Sequence, residues 1–147
     1  MMCAVDRAKV KTIRAAVGWA ASEAGDGVAY ALLGGPGNRD EIVRVTFRCS
    51  PLAALRGRDV GYAALNAVAA ELHERGIQRL RFAVEDQRLV ADLTDRLPVP
   101  APLAIPYITL GCALNRFRAA AVVATGEPAV RDLSARARAE VFLRAAA

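Results

Sequence analysis

The apolar residues of this chain change their spacing near residue 59, and that change restricts the fold more than any other feature. Before it, apolar and polar residues alternate. Glu41 to Cys49 is the clearest stretch, with Ile42, Val43, Val45 and Phe47 set against Arg44, Thr46 and Arg48. Alternation marks a strand with one face in a core. Two further apolar runs precede it, Thr12 to Ser22 and Val28 to Leu33. They are closed by turn signals at Gly25-Asp-Gly27 and Gly34-Gly-Pro-Gly37. Three strands joined by glycine turns predict an antiparallel meander.

Beyond Asp59 the apolar positions recur every three to four residues: Ala64, Leu65, Val68 and Leu72 form one stripe. That spacing predicts a helix to about Arg75, with Asp59 as its cap and Gly76 in the place of a C-terminal glycine. Leu80, Phe82 and Val84 then alternate with Arg79, Arg81 and Ala83, a fourth strand. A helix between two strands implies a crossover to a parallel neighbour.

Gln87 to Leu97 reads as a second helix. Pro98, Pro100, Pro102 and Pro106 read as a stiff linker, and Tyr107 to Asn115 as a third helix with Pro106 near its first turn. Arg118 to Ala124 is a last strand and Ala129 to Ala146 a terminal helix, with Leu133, Ala137 and Val141 on one stripe. The predicted order is β-β-β-α-β-α-α-β-α. It gives an α/β fold: a mixed five-stranded sheet, antiparallel through its first three strands and parallel in the last two, with helices packed on it. Residues 11–147 are read as one domain and residues 1–10 as an N-terminal extension.

Three local motifs fall on this order. They are Val60-Gly-Tyr-Ala-Ala-Leu65 opening the first helix, Glu85-Asp-Gln-Arg-Leu-Val90 ending the fourth strand, and Glu127-Pro-Ala-Val-Arg-Asp132 entering the last helix. Together with the element order, they resemble the ribonuclease H family. The resemblance covers about Lys11 to Ala139. It implies the ribonuclease H-like fold and a site that cleaves the RNA strand of an RNA–DNA hybrid with paired Mg²⁺ ions about 4 Å apart. Such hard ions need oxygen ligands, which the family supplies as four acids.

Carried over one by one, the first-strand acid falls near Val17 and the helix acid on Gly61. The fourth-strand acid falls on Glu85, and the last on Asp132. Valine and glycine offer no oxygen. Asp86 replaces Glu85 only under a one-residue shift, which turns the side chain to the opposite face. The resemblance therefore leaves Glu85 and Asp132 as residual catalytic and metal-ligand candidates. Both are equally readable as polar residues at element ends.

Trp19 lies on the strand that faces substrate in the family, so it is a candidate to stack on a base or sugar; a core or interface position is the other reading. Arg56 and Arg58, ahead of the first helix, are candidates for phosphate contact or ordinary solvated arginines, as are Arg79, Arg81, Arg116 and Arg118. His73, the single histidine, sits among Glu71, Glu74 and Arg75 and reads as a solvated helix residue.

The net charge of +5 admits a polyanionic partner. Cys3, Cys49 and Cys112 are odd in number and far apart, which fits reduced thiols in the cytoplasm, and no stretch is apolar enough to cross a membrane. The expectation is a catalytically degenerate ribonuclease H-like domain that binds RNA or an RNA–DNA hybrid without efficient cleavage and requires no cofactor. Two alternatives stand beside it. One is an active Mg²⁺- or Mn²⁺-dependent nuclease with a rearranged acid site drawing on Glu85, Asp86, Asp132 and Glu127. The other is a protein-interaction domain acting as a homodimer.

Overall fold

A computed structural model describes residues 11–35, 40–50, 57–95 and 98–146. The predicted N-terminal extension, Arg56, the Pro36-Gly37 half of the second turn and the expected helix end at Leu97 lie outside these residues.

The chain runs β1 (Ile13–Ala21), β2 (Asp26–Gly34), β3 (Glu41–Arg48), α1 (Arg58–Glu74), β4 (Arg79–Val84) and α2 (Gln87–Asp95). A 3₁₀ turn (Ala101–Leu103), α3 (Ala104–Leu114), β5 (Ala119–Ala124) and α4 (Pro128–Ala146) follow. The sheet order is β3-β2-β1-β4-β5. The β1–β2 and β2–β3 pairs are antiparallel, and β1–β4 and β4–β5 are parallel. This is the architecture expected from the change of period.

The strands sort their side chains into two layers. Ala15 and Val17 of β1, with Leu80, Phe82 and Val84 of β4, join Val60, Leu65, Val68 and Leu72 of α1 in the larger core. Ala16 of β1 and Val28 and Tyr30 of β2 meet Val130, Leu133 and Ala137 of α4 in a smaller one. Alternate residues of one strand thus serve opposite faces. α4 packs on β1 and β2; on that face of β4, Arg79 and Arg81 are exposed and Ala83 is buried.

Helix ends differ from expectation in two places. The cap of α1 is Gly57, at φ +66°, and Asp59 is the buried second residue of the helix. α3 begins three residues before Tyr107, directly after the 3₁₀ turn. Pro102 and Pro106 therefore lie inside helical first turns, where a missing N–H is harmless. The C-terminus of α1 is as read. Gly76 has φ +83°, with Gly76 N–H bonded to His73 O and Ile77 N–H to Leu72 O. This pairing satisfies carbonyls left over at the helix end.

Candidate functional site

The parallel register of β1 and β4 aligns Ala16 with Ala83, so Val17 is level with the last residue of β4. At this level a cleft of about 370 Å³ opens, lined by Val17, Trp19, Gly57, Glu85, Asp86, Ser134 and Arg138. Four elements build it: the middle of β1, the end of β4, the start of α1 and one face of α4.

Each wall has a local cause. Gly18 is required because the backbone of α4 crosses β1 there: a Cβ on Gly18 would collide with the backbone of Leu133 and Ser134. That close approach brings Ser134, and Arg138 one turn later, over the sheet. Asp86 caps α2. Its Oδ1 accepts the Leu89 N–H at 3.1 Å, and its carbonyl accepts the Val90 N–H. Glu85, one residue earlier, is exposed.

Trp19 is half-buried and packs against the larger core. A Cβ placed on Gly61 would lie 2.9 Å from Trp19 Cζ2 and 2.8 Å from Leu89 Cδ1. The indole therefore stands where the side chain of a helix acid would leave α1. The stacking role considered for Trp19 meets a ring already engaged on one side.

Glu85 lines the cleft, but Asp132 does not; it is exposed on α4. Asp132 and Ser134 are two residues apart, about 200° around a helix, so they occupy different faces. Of the two expected residues, Glu85 lines the cleft and Asp132 is exposed on α4; Ser134 is the α4 residue that lines the cleft beside Arg138. The signal was present in the sequence. Ser134 is four residues from Val130 and three from Ala137, both on the buried stripe, whereas Asp132 falls off it.

Among the described residues, no three His, Cys, Asp or Glu side chains cluster as a metal-ion site would require. The cleft offers Glu85 and a partly committed Asp86, opposite the guanidinium-bearing Arg138. Paired Mg²⁺ ions need several converging carboxylates, so these residues do not fit such a pair.

Arg58 is held inside the fold. Its Nη1 donates to Asp92 Oδ1 at 3.1 Å and Oδ2 at 2.9 Å, and the Tyr62 hydroxyl donates to Oδ2 at 2.8 Å. Asp92 and Tyr62 are both buried. Burial, then the Asp92 hydrogen bond, pushes the Tyr62 hydroxyl well above its ordinary range. The triad pins α1 to α2, so Arg58 has a structural partner in place of an open hand for phosphate. Sequence reasoning missed Asp92. Its position three residues after Leu89, on the apolar face of α2, was the available sign.

Arg79 and Arg81 do share one exposed face of β4. Arg14 of β1 is the register neighbour of Arg81, and its Nη2 pairs with Glu127 Oε1 at 2.6 Å. The three arginines lie on the face of the sheet that α4 packs against at β1 and β2. His73 is exposed, as expected, with its ring edge-on to Phe117 at 5.7 Å. Cys49 and Cys112 are free thiols, and burial raises the Cys49 pKa. Among the described residues no helix is long and apolar enough to cross a membrane.

No protein-family model matches the chain, and no curated protein matches it. Solved structures do. RNase H1 from the halophilic archaeon Halobacterium salinarum NRC-1 superimposes with a TM-score of 0.70 at 15% identity, over 89% of this chain and 97% of that one. The N-terminal RNase H domain of a Mycobacterium tuberculosis protein gives 0.70 at 12% identity, over 93% and 99%. LC11-RNase H1 in complex with an RNA/DNA hybrid gives 0.62 at 11% identity, over 92% and 99%. The fold is the ribonuclease H fold.

Proposed function

We propose that this chain is a nucleic-acid-binding domain of ribonuclease H fold that does not cleave through a paired-metal site. The observation that carries the reading is the contact of Trp19 with Gly61, which fills the place of one acid in a cleft whose neighbouring positions are Val17 and Ser134. The remaining carboxylates, Glu85 and Asp86, are adjacent in sequence and face an arginine across the cleft.

Binding is supported by Arg79 and Arg81, exposed on one face of β4 beside the ion-paired Arg14, and by the net charge of +5. Exposed arginines on a sheet face suit phosphate oxygens, which give affinity without reading sequence. A solved structure of the same fold holds an RNA/DNA hybrid, so RNA or an RNA–DNA hybrid is the ligand class proposed here.

The test pairs two measurements on one preparation. Mobility shift of labelled hybrid and duplex RNA at low and raised salt is expected to show binding that weakens steeply with salt. Incubation of the same hybrid with Mg²⁺ or Mn²⁺ is expected to leave it intact. No shift at micromolar protein overturns the binding. Cleavage that disappears in Glu85→Gln or Asp86→Asn overturns the degenerate reading in favour of a rearranged nuclease.

A further inference from the structure

The two ends of the sheet are built differently. β3 carries exposed Glu41, Arg44 and Arg48 along its length. Charged side chains of this kind are a usual way for an end strand to resist pairing with another chain. β5, at the other end, is Ala119-Ala-Ala-Val-Val-Ala124, with no charge and no proline. Ala119, Ala121, Val123 and Ala124 are all exposed.

The open edge of β5 has a definite phase. Just before the strand, Gln78 O accepts from Arg118 N–H at 2.8 Å and from Ala119 N–H at 3.5 Å; within and after the strand the phase is set by Thr125 N–H, which donates to Val84 O at 2.8 Å. Odd-numbered residues therefore turn their N–H and C=O toward β4. Ala120, Val122 and Ala124 present theirs outward, and among the described residues no strand lies beyond them in the sheet order. On the α4 side β5 itself carries only Ala119, Ala121 and Val123, beside Arg79 and Arg81 of β4, while α2 and α3 contact β5.

The flanks of β5 are opposite in charge. Arg116 and Arg118 precede it, and Glu127 follows it; all three are exposed, and Glu127 also pairs through Oε1 with Arg14 of its own chain. A strand that is basic at its start and acidic just past its end is complementary to its own antiparallel copy.

We propose that β5 pairs antiparallel with β5 of a second copy of this chain, about a twofold axis at Val122, and joins two five-stranded sheets edge to edge. Only even-numbered residues offer edge groups, so the register sets Ala120 opposite Ala124 and Ala121 opposite Val123. Arg118 falls opposite Gly126, next to Glu127 of the second copy. The contact is isologous and closes after two copies. A single strand pair buries little area, so the dissociation constant is expected on the order of tens of micromolar. The inference stands apart from nucleic-acid binding and does not need it.

Sedimentation of the full chain over a range of concentrations, with amide hydrogen exchange at each, tests the pairing. The expected result is a concentration-dependent dimer, with protection at Ala120, Val122 and Ala124 that grows in step. Val123→Lys places a charge on the exposed edge, and Ala120→Pro removes an outward donor without touching a bond to β4. Each is expected to weaken association by about tenfold or more, with an unchanged circular dichroism spectrum. If Ala120→Pro fails to fold, Val123→Lys and the exchange data decide. A chain that stays monomeric up to about 1 mM, or a dimer whose β5 amides ignore concentration, or one unmoved by Val123→Lys, overturns the proposal.

Discussion

Trp19 lies so close to the backbone of Gly61 that one added carbon on the glycine would sit 2.9 Å from its ring. Gly61 and Trp19 are thereby coupled: the space beside the helix glycine is occupied by an indole from β1. Any side chain placed at position 61 must displace that ring or the end of Leu89.

Gly61→Ala is therefore expected to destabilise the protein, although alanine is the better helix former. The helix preference favours alanine by about 1 kcal/mol. Forcing a methyl group against a packed ring costs about 1–3 kcal/mol, and the ring is less free to yield than the end of Leu89. Denaturant unfolding should show a net loss for Gly61→Ala in the native background. In a Trp19→Ala background the same substitution should cost less or become stabilising. Additive effects would refute the steric coupling.

The Arg58–Asp92–Tyr62 triad makes a second prediction. Asp92→Ala strands a partly buried guanidinium and a buried hydroxyl together, and is expected to cost about 3 kcal/mol or more. Tyr62→Phe removes one hydrogen bond and keeps the ring, at about 1 kcal/mol. Chemical denaturation of both variants checks the order. A Tyr62→Phe variant as damaged as Asp92→Ala would show that ring packing, and not the carboxylate, holds α1 to α2.

The element order was legible because the change from alternating to helical spacing is a property of the chain itself. Leu80, Phe82 and Val84 alternate whichever helix covers them. Gly76 was readable for the same reason, since a left-handed residue after an apolar stripe has few other uses. The site was less legible. Matching Glu127 to Asp132 by motif spacing picks out an acid and carries no helix phase. The phase is fixed by Val130, Leu133 and Ala137 meeting β1 and β2. That Trp19 fills the gap over Gly61 depends on the distance between a strand and a helix, and no periodicity carries that distance.

Glu140 gives the pH prediction. Its carboxylate accepts from Tyr30 Oη at 2.5 Å and from Arg44 Nε and Nη2 at 2.8 and 2.7 Å, while Arg136 stacks over the Tyr30 ring at 4.4 Å. The Arg44 hydrogen bonds, with help from Tyr30, hold the Glu140 pKa at about 2, below its ordinary 4.5. A depressed folded value means the unfolded chain takes up the proton first as pH falls. The stabilisation is therefore complete above about pH 5 and lost progressively toward pH 2. Glu140 is partly solvated, so screening holds the effect to roughly 1–2 kcal/mol. Stability measured between pH 5 and 2 should fall less steeply in Glu140→Gln than in the parent. Parallel curves would mean that the network adds nothing to folding.

The exposed arginines of β4 give the last prediction. Arg79 and Arg81 protrude together, and among the described residues neither is joined to a carboxylate by an ion pair. Arg75 is also exposed, but it is tied to Glu41 and Glu71 at 2.8 and 3.1 Å. Each arginine that neutralises a phosphate releases about one counterion, so binding depends on salt with a slope of about −0.9 per contact. Replacing Arg79 and Arg81 with glutamine should make that slope shallower by about 2 and weaken binding to hybrids of every sequence alike. Arg75→Gln, whose guanidinium already serves two acids, should leave the slope where it was. A double variant with the parent's slope would move the nucleic-acid surface away from this face of the sheet.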